Sequence, residues 1–181
     1  MLEKLLAHYA DLLNEFLKRK YKNPEGIATV GRIGGSTDVI PGKLVISLLN
    51  IERESSVGAA PSAYRINGGA YSMVYSPLLL NLNIVLAAVF EENRYDFSLS
   101  VLSDALRFIQ ACPKFTVDGV DYTVEIVNIS MQDFNNVWTL LGGQCYPSVL
   151  CKIRYLSVDA GEISASGKTV DHPNVTLNGD H

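Results

Sequence analysis

The stretch Pro77–Phe90, PLLLNLNIVLAAVF, decides the fold. Leu78, Leu80, Leu82, Ile84, Leu86, Ala88 and Phe90 alternate with Leu79, Asn81, Asn83, Val85, Ala87 and Val89, a period of two with one wholly apolar face. It reads as the central strand of a sheet. Burying that face, at about 1.5–3 kcal/mol per large side chain, contributes on the order of 10–15 kcal/mol before chain entropy is subtracted. A charge at Leu82 or Ile84 is therefore expected to unfold the domain. Asn81 and Asn83, on the second face, need hydrogen-bond partners from a helix or a neighbouring subunit. The run is too short for the roughly 20 apolar residues of a bilayer helix.

Upstream, Leu2, Leu5, Leu6, Tyr9, Leu12, Leu13 and Phe16 recur at three-and-four spacing, the pattern of an amphipathic helix on a core. Lys18, Arg19, Lys20 and Lys22 complement its carboxyl end, and Asn23-Pro24 breaks it. Pro24 to Gly42 is glycine-rich and expected to be a connector with at most a short strand near Ile27–Val30. Its Gly31-Arg32-Ile33-Gly34-Gly35-Ser36 lacks the Gly-Lys-Ser/Thr ending of a phosphate-binding loop. Leu44–Ile51 reads as a strand that runs out into solvent at Glu52-Arg53-Glu54. Ser55–Ser76, with Tyr64, Tyr71, Met73 and Tyr75 among small residues, reads as a long functional loop.

Downstream, a helix is expected from Tyr95-Asp96, capped by Asp96 or Ser98 and stopped by Pro113. Asp118-Gly119 marks a tight hairpin, with Tyr122–Asn128 returning. Ser130–Asp133 has the form of a capping box before a short helix that Gly142-Gly143 ends. Val149, Cys151, Ile153 and Tyr155 alternate with Leu150, Lys152, Arg154 and Leu156 in a last strand. The fold class is α+β: a mixed, largely antiparallel sheet with about three helices packed on it. Residues 1–158 are expected to form one domain and 159–181, diluted by glycine and serine, a C-terminal arm or flexible tail.

Fifteen Lys and Arg against nineteen Asp and Glu leave a net charge of −4 among 181 residues, which argues against nucleic acid or an anionic membrane as partners. Charged residues are only 19% and apolar ones 48%, enough to fill a core and leave apolar surface for other subunits. The N-terminus carries no secretory pattern, and three cysteines without a Cys-x-x-Cys pair suit reduced thiols, so synthesis and folding in the cytoplasm are expected. Catalytic chemistry finds little footing. His8 lies within the first helix and His172 and His181 in the tail, away from Cys112, Cys145 and Cys151. Neither Cys145 with Cys151 nor Glu91-Glu92 has metal-ligand spacing. Glu52, Glu54, Glu91, Glu92 and Asp96 read as solvated carboxylates, and Trp138 as a core residue. No catalytic residue, metal or cofactor is expected.

Three stretches carry a resemblance: VISLLNIERE at Val45–Glu54, PLLLNLNIVLAAVFEENRYDFSLSVLSDALRFIQACPKFT at Pro77–Thr116, and NISMQDFNNVWTLLGGQCYPSVLCKIRYLSVD at Asn128–Asp159. With Leu12-Leu13-Asn14 in the first helix, the chain resembles the cap, or tail-terminator, proteins of phage-tail-like contractile injection systems. The resemblance implies a non-enzymatic subunit whose homohexameric ring sits on the distal end of the inner tube and sheath, ends their polymerisation and stabilises the particle. Such a cap must match the last ring on one face and offer no repeat of that contact on the other. A ring also makes many weak contacts at once, so modest energy per subunit gives firm attachment. Contacts are expected from the two long loops, the tail and the last strand, at Arg32, Tyr64, Arg65, Tyr71, Lys152, Arg154, Asp159, Glu162 and Lys168. The sequence equally admits an adaptor that recognises a peptide or carbohydrate through its Tyr64–Tyr75 loop.

Overall fold

The computed structural model describes residues 1–34, 41–54, 62–66, 70–74, 78–158 and 163–168, the segments 62–66, 70–74 and 163–168 by backbone and register alone. In chain order the elements are α1 (Leu2–Tyr21), β1 (Ala28–Val30), β2 (Lys43–Arg53), β3 (Ser62–Ile66), β4 (Ala70–Val74), β5 (Leu78–Val89), α2 (Tyr95–Ala111), β6 (Lys114–Val117), β7 (Val120–Ile126), α3 (Met131–Leu140), β8 (Ser148–Val158) and β9 (Ile163–Lys168). A single 3-10 turn at Glu92–Arg94 precedes α2.

The alternating stretch is β5, and it lies inside a six-stranded sheet ordered β1-β2-β5-β8-β7-β6. β1 runs parallel to β2, whereas β2 with β5, β6 with β7 and β7 with β8 are antiparallel. Leu82, Ile84, Leu86, Ala88 and Phe90 join a core with Leu5, Tyr9 and Leu13 of α1 and Val101, Ala105 and Phe108 of α2. Leu82 and Ile84 have no exposed surface, as their place in the alternation requires. The second face of β5 is also covered along part of its length. Val85, Ala87 and Val89 pack with Val45, Ile33 and Trp138 of α3, so the centre of the sheet is dry on both sides.

Local signals set the element ends. Lys22 takes a left-handed conformation, φ 48°, and its N–H closes α1 on the carbonyl of Lys18. Asp118 and Gly119 both have positive φ, 52° and 79°, as a two-residue hairpin turn requires. The Ser130 hydroxyl accepts from the Asp133 N–H at the start of α3, and Gly142 and Gly143, φ 107° and 83°, follow its end. At α2 the expected cap is not made: neither Asp96 nor Ser98 caps the helix, and the Ser98 hydroxyl bonds back to the Tyr95 carbonyl. The Arg94 guanidinium instead lies over the rings of Phe97 and Phe90, at 4.5 and 5.3 Å.

Ser55–Ser76 is not the uninterrupted loop its composition suggests. It contains β3 and β4, which pair antiparallel from Ser62↔Val74 to Ile66↔Ala70, and β9 adds to β4 to complete a three-stranded sheet. The strand β9 lies in the stretch expected to be an arm. The chain accordingly groups into two compact units, Met1–Glu54 with Leu80–Leu156 and Ser55–Leu79 with Ser157–His181.

Candidate assembly surfaces

The face of the large sheet that carries Asn81 and Asn83 holds a ladder of charges. A β-bulge in β2 places it there. Before the bulge Leu48 opposes Ile84; after it Asn50 opposes Asn83 and Glu52 opposes Asn81, so the even-numbered residues of β2 change face. The asparagines thus meet glutamates of their own chain. Asn83 Nδ2 donates to Glu52 Oε1 at 2.7 Å, and Asn81 Nδ2 donates to Glu54 Oε2 at 2.8 Å. From β8, Lys152 Nζ reaches Glu52 at 2.9 Å, while Arg154 bonds Glu54 at 3.2 Å and Glu125 of β7 through Nε at 2.7 Å. The hydrogen bonds from Lys152 and then Asn83 hold the Glu52 carboxyl below its ordinary range.

Glu54 is buried, contrary to the expectation that it is solvated, because Arg154 and Asn81 bring it two partners. Lys152 and Arg154, singled out as contact residues, are each half-buried and already answer carboxylates of the same sheet. What this face offers a neighbour is a ladder in which cations and anions alternate, not two bare cations.

Arg32 lines a cleft of about 500 Å³ with Val30, Ile33, Leu48, Leu140 and Leu141. Leu140 is 88% exposed at its rim, on a helix whose Trp138 is buried with Phe134 and Tyr146. Gly34 has a steric reason to be glycine: at φ 81° a Cβ would stand 1.6 Å from the Leu141 carbonyl oxygen. The residue serves close packing against the end of α3.

The three-stranded sheet brings Tyr64, Arg65, Tyr71 and Lys168 together in register, with Arg65 opposite Tyr71 and Lys168 opposite Ala70. Asp159 and Glu162 lie outside the described residues.

Sequence reasoning missed two polar anchors. Asn14, on the inner side of α1, accepts from the N–H groups of Ile27 and Ala28 at 2.8 and 2.7 Å and donates to the Ala28 carbonyl at 2.8 Å. It pairs with β1 as a further strand residue would. Asp104 of α2, 3% exposed, is held by Lys20 and Tyr21 of α1 and by Arg107. Asp104 gave a signal, a carboxylate beside the apolar stripe of its helix; Asn14 lies off the stripe of α1 and gave none. Burial pushes the Asp104 carboxyl up, but the bonds from Lys20 and Tyr21 and the charges of Lys20 and Arg107 outweigh it and hold it low.

His172 and His181 lie outside the described residues. Burial raises the Cys145 thiol and pushes that of Cys151 up to about 12, away from the thiolate. His8 stacks on Phe115, at 6.3 Å between centroids, and no hydrogen bond joins it to a cysteine among the described residues. The described residues hold no cluster of three metal-ligating side chains and no helix long and apolar enough to cross a membrane.

This mixed sheet, with two helices on one face and a short third on the other, matches the fold of two solved caps of contractile injection systems. Over its whole length the chain matches the sheath/tube terminator of the extracellular contractile injection system PVC in its extended state, with a TM-score of 0.68 and 14% identity. Over 98% of its length it matches the tube-terminating cap of the anti-feeding prophage, with a TM-score of 0.65 and 11% identity. The chain spans 64% and 61% of those two proteins. It belongs to the Pvc16 N-terminal domain family, whose pattern matches residues 6–171. No curated protein sequence matches it.

Proposed function

We propose that the chain is the cap of a contractile injection particle: a non-enzymatic subunit that forms a sixfold ring on the distal end of the tube and sheath and ends their growth. The observation that carries this reading is family membership over residues 6–171 together with a terminator fold that accounts for the full chain. The contacts are assigned to Arg32 beside the exposed Leu140, to the small sheet bearing Tyr64, Arg65, Tyr71 and Lys168, to the ladder of Lys152 and Arg154, and to the segment 159–181 with Asp159 and Glu162. Residues 1–158 supply the ring-forming body in this scheme; of the segment that follows, Ile163–Lys168 completes the small sheet on β4 and the remainder reaches a neighbouring subunit. No nucleic acid, cofactor or membrane takes part.

Closed rings are built from one heterologous contact repeated until the rotation closes. Light scattering on the purified chain mixed with its tube and sheath subunits tests this directly. The expected result is a bound species with six copies of the chain; a persistent monomer or dimer that ignores both subunits contradicts it.

A further inference from the structure

The two ends of the large sheet differ. At the β1 end the Asn14 amide occupies both the N–H and the C=O of Ala28, which shields much of that three-residue strand from further pairing. At the β6 end nothing comparable is present among the described residues. The Val124 N–H bonds to the Pro113 carbonyl at 2.8 Å, and this sets the parity of the hairpin: Pro113, Phe115 and Val117 bond towards β7. The peptide groups of Lys114 and Thr116 therefore point outward, from exposed residues of the last strand in the sheet.

Beside this open edge lies a groove of about 260 Å³ between the strand and the two long helices, lined by His8 and Leu12 of α1, Phe108 of α2, Cys112, and Lys114, Phe115 and Thr116 of β6 itself. An unpaired strand edge alongside an apolar groove under a helix is an arrangement that binds extended peptides: main-chain bonds give affinity and the groove selects alternate side chains.

We propose that β6 and this groove take up an extended peptide segment of another chain, added to the sheet as an antiparallel strand. The register defines its chemistry. The residue opposite Phe115 points to the helix side and is apolar, filling the groove. The residue opposite Lys114 lies on the other face and is acidic, because Lys114 makes no ion pair among the described residues and a lysine on an open edge disfavours partners that bring no negative charge. The residue opposite Thr116 is small and polar. Read in its own direction the segment is Thr/Ser, then a large aliphatic residue, then Asp/Glu. The inference rests on the geometry of β6 and holds whether or not the chain is a cap.

The test is a titration of the full chain with the synthetic peptide Gly-Ser-Val-Thr-Leu-Asp-Val-Ser-Gly, with amide hydrogen exchange read residue by residue. The Lys114 and Thr116 amides are expected to exchange about tenfold or more slowly with peptide bound, while the inward amides stay unchanged. Thr116→Pro, which removes an outward N–H and leaves the main-chain bonds to β7 in place while losing the bond from the Thr116 hydroxyl to Asp121, is expected to abolish this protection, with Thr116→Val as the control that loses that hydroxyl bond alone and keeps the protection. Lys114→Glu, at an exposed site, is expected to weaken binding about fivefold or more, and it decides the matter if the proline variant does not fold. Unchanged exchange at Lys114 and Thr116, or binding indifferent to Lys114→Glu, overturns the proposal.

Discussion

At the scale of single residues, stability is decided where a polar atom is buried. The Tyr9 ring is fully buried against Phe108 and Phe115, at 5.9 and 5.2 Å, yet its hydroxyl has no hydrogen-bond partner among the described residues. Removing an unsatisfied hydroxyl while keeping the ring recovers its desolvation cost. Tyr9→Phe is expected to stabilise the chain by about 1 kcal/mol, read from the urea midpoint. Asn14 is the opposite case. Its amide satisfies three backbone groups, and Asn14→Ala strands them at the sheet edge, so a loss of about 2–4 kcal/mol is expected in the same measurement. Equal stability of Asn14→Ala and the parent would remove the anchoring role.

Between elements, the bulge in β2 and the α1–α2 clamp carry the argument. Deleting Leu49 would remove the extra residue yet leave Asn50 opposite Asn83 and Glu52 opposite Asn81, whereas one residue inserted between Asn50 and Ile51 would move Glu52 opposite Leu80, on the α1–α2 side. An alanine inserted between Asn50 and Ile51 is expected to abolish cooperative unfolding in circular dichroism, whereas deletion of Leu49, which keeps the ladder on its face, is expected to retain it. Asp104 ties the end of α1 to α2, and Glu52 ties β2 to β8. Both carboxyls titrate below their ordinary values in the folded chain. Folding therefore lowers their proton affinity. The stability they contribute is present above their unfolded pKa, about 4, and is lost as pH falls through the lower folded values. Asp104→Asn is expected to flatten the decline of the thermal midpoint on acidification below about pH 4. An acid limb as steep as the parent's would assign the decline to other groups.

For the whole molecule, legibility in the sequence followed the range of the interactions. β5, α1, the Asp118-Gly119 hairpin and the Ser130 cap were readable because periodicity, capping and turn chemistry are local. β3, β4 and β9 were not legible, since all three are short and interspersed with small residues, and β9 pairs with a strand about ninety residues upstream. The partners of Asn81 and Glu54 were equally hidden: Arg154 stands 100 residues from Glu54, and the bulge that joins their faces leaves no mark in composition. Among the proposed contact residues, those of the small sheet were singled out by their aromatic and basic character. The ladder around Lys152 and Arg154 could be recognised only as far as its cations.

The role proposed for this chain is to end the growth of a protein rod. Electron microscopy of injection particles from cells lacking its gene tests that most directly. Tubes and sheaths of uncontrolled length, with ragged distal ends, are the predicted result; particles of normal length with intact tips would contradict it.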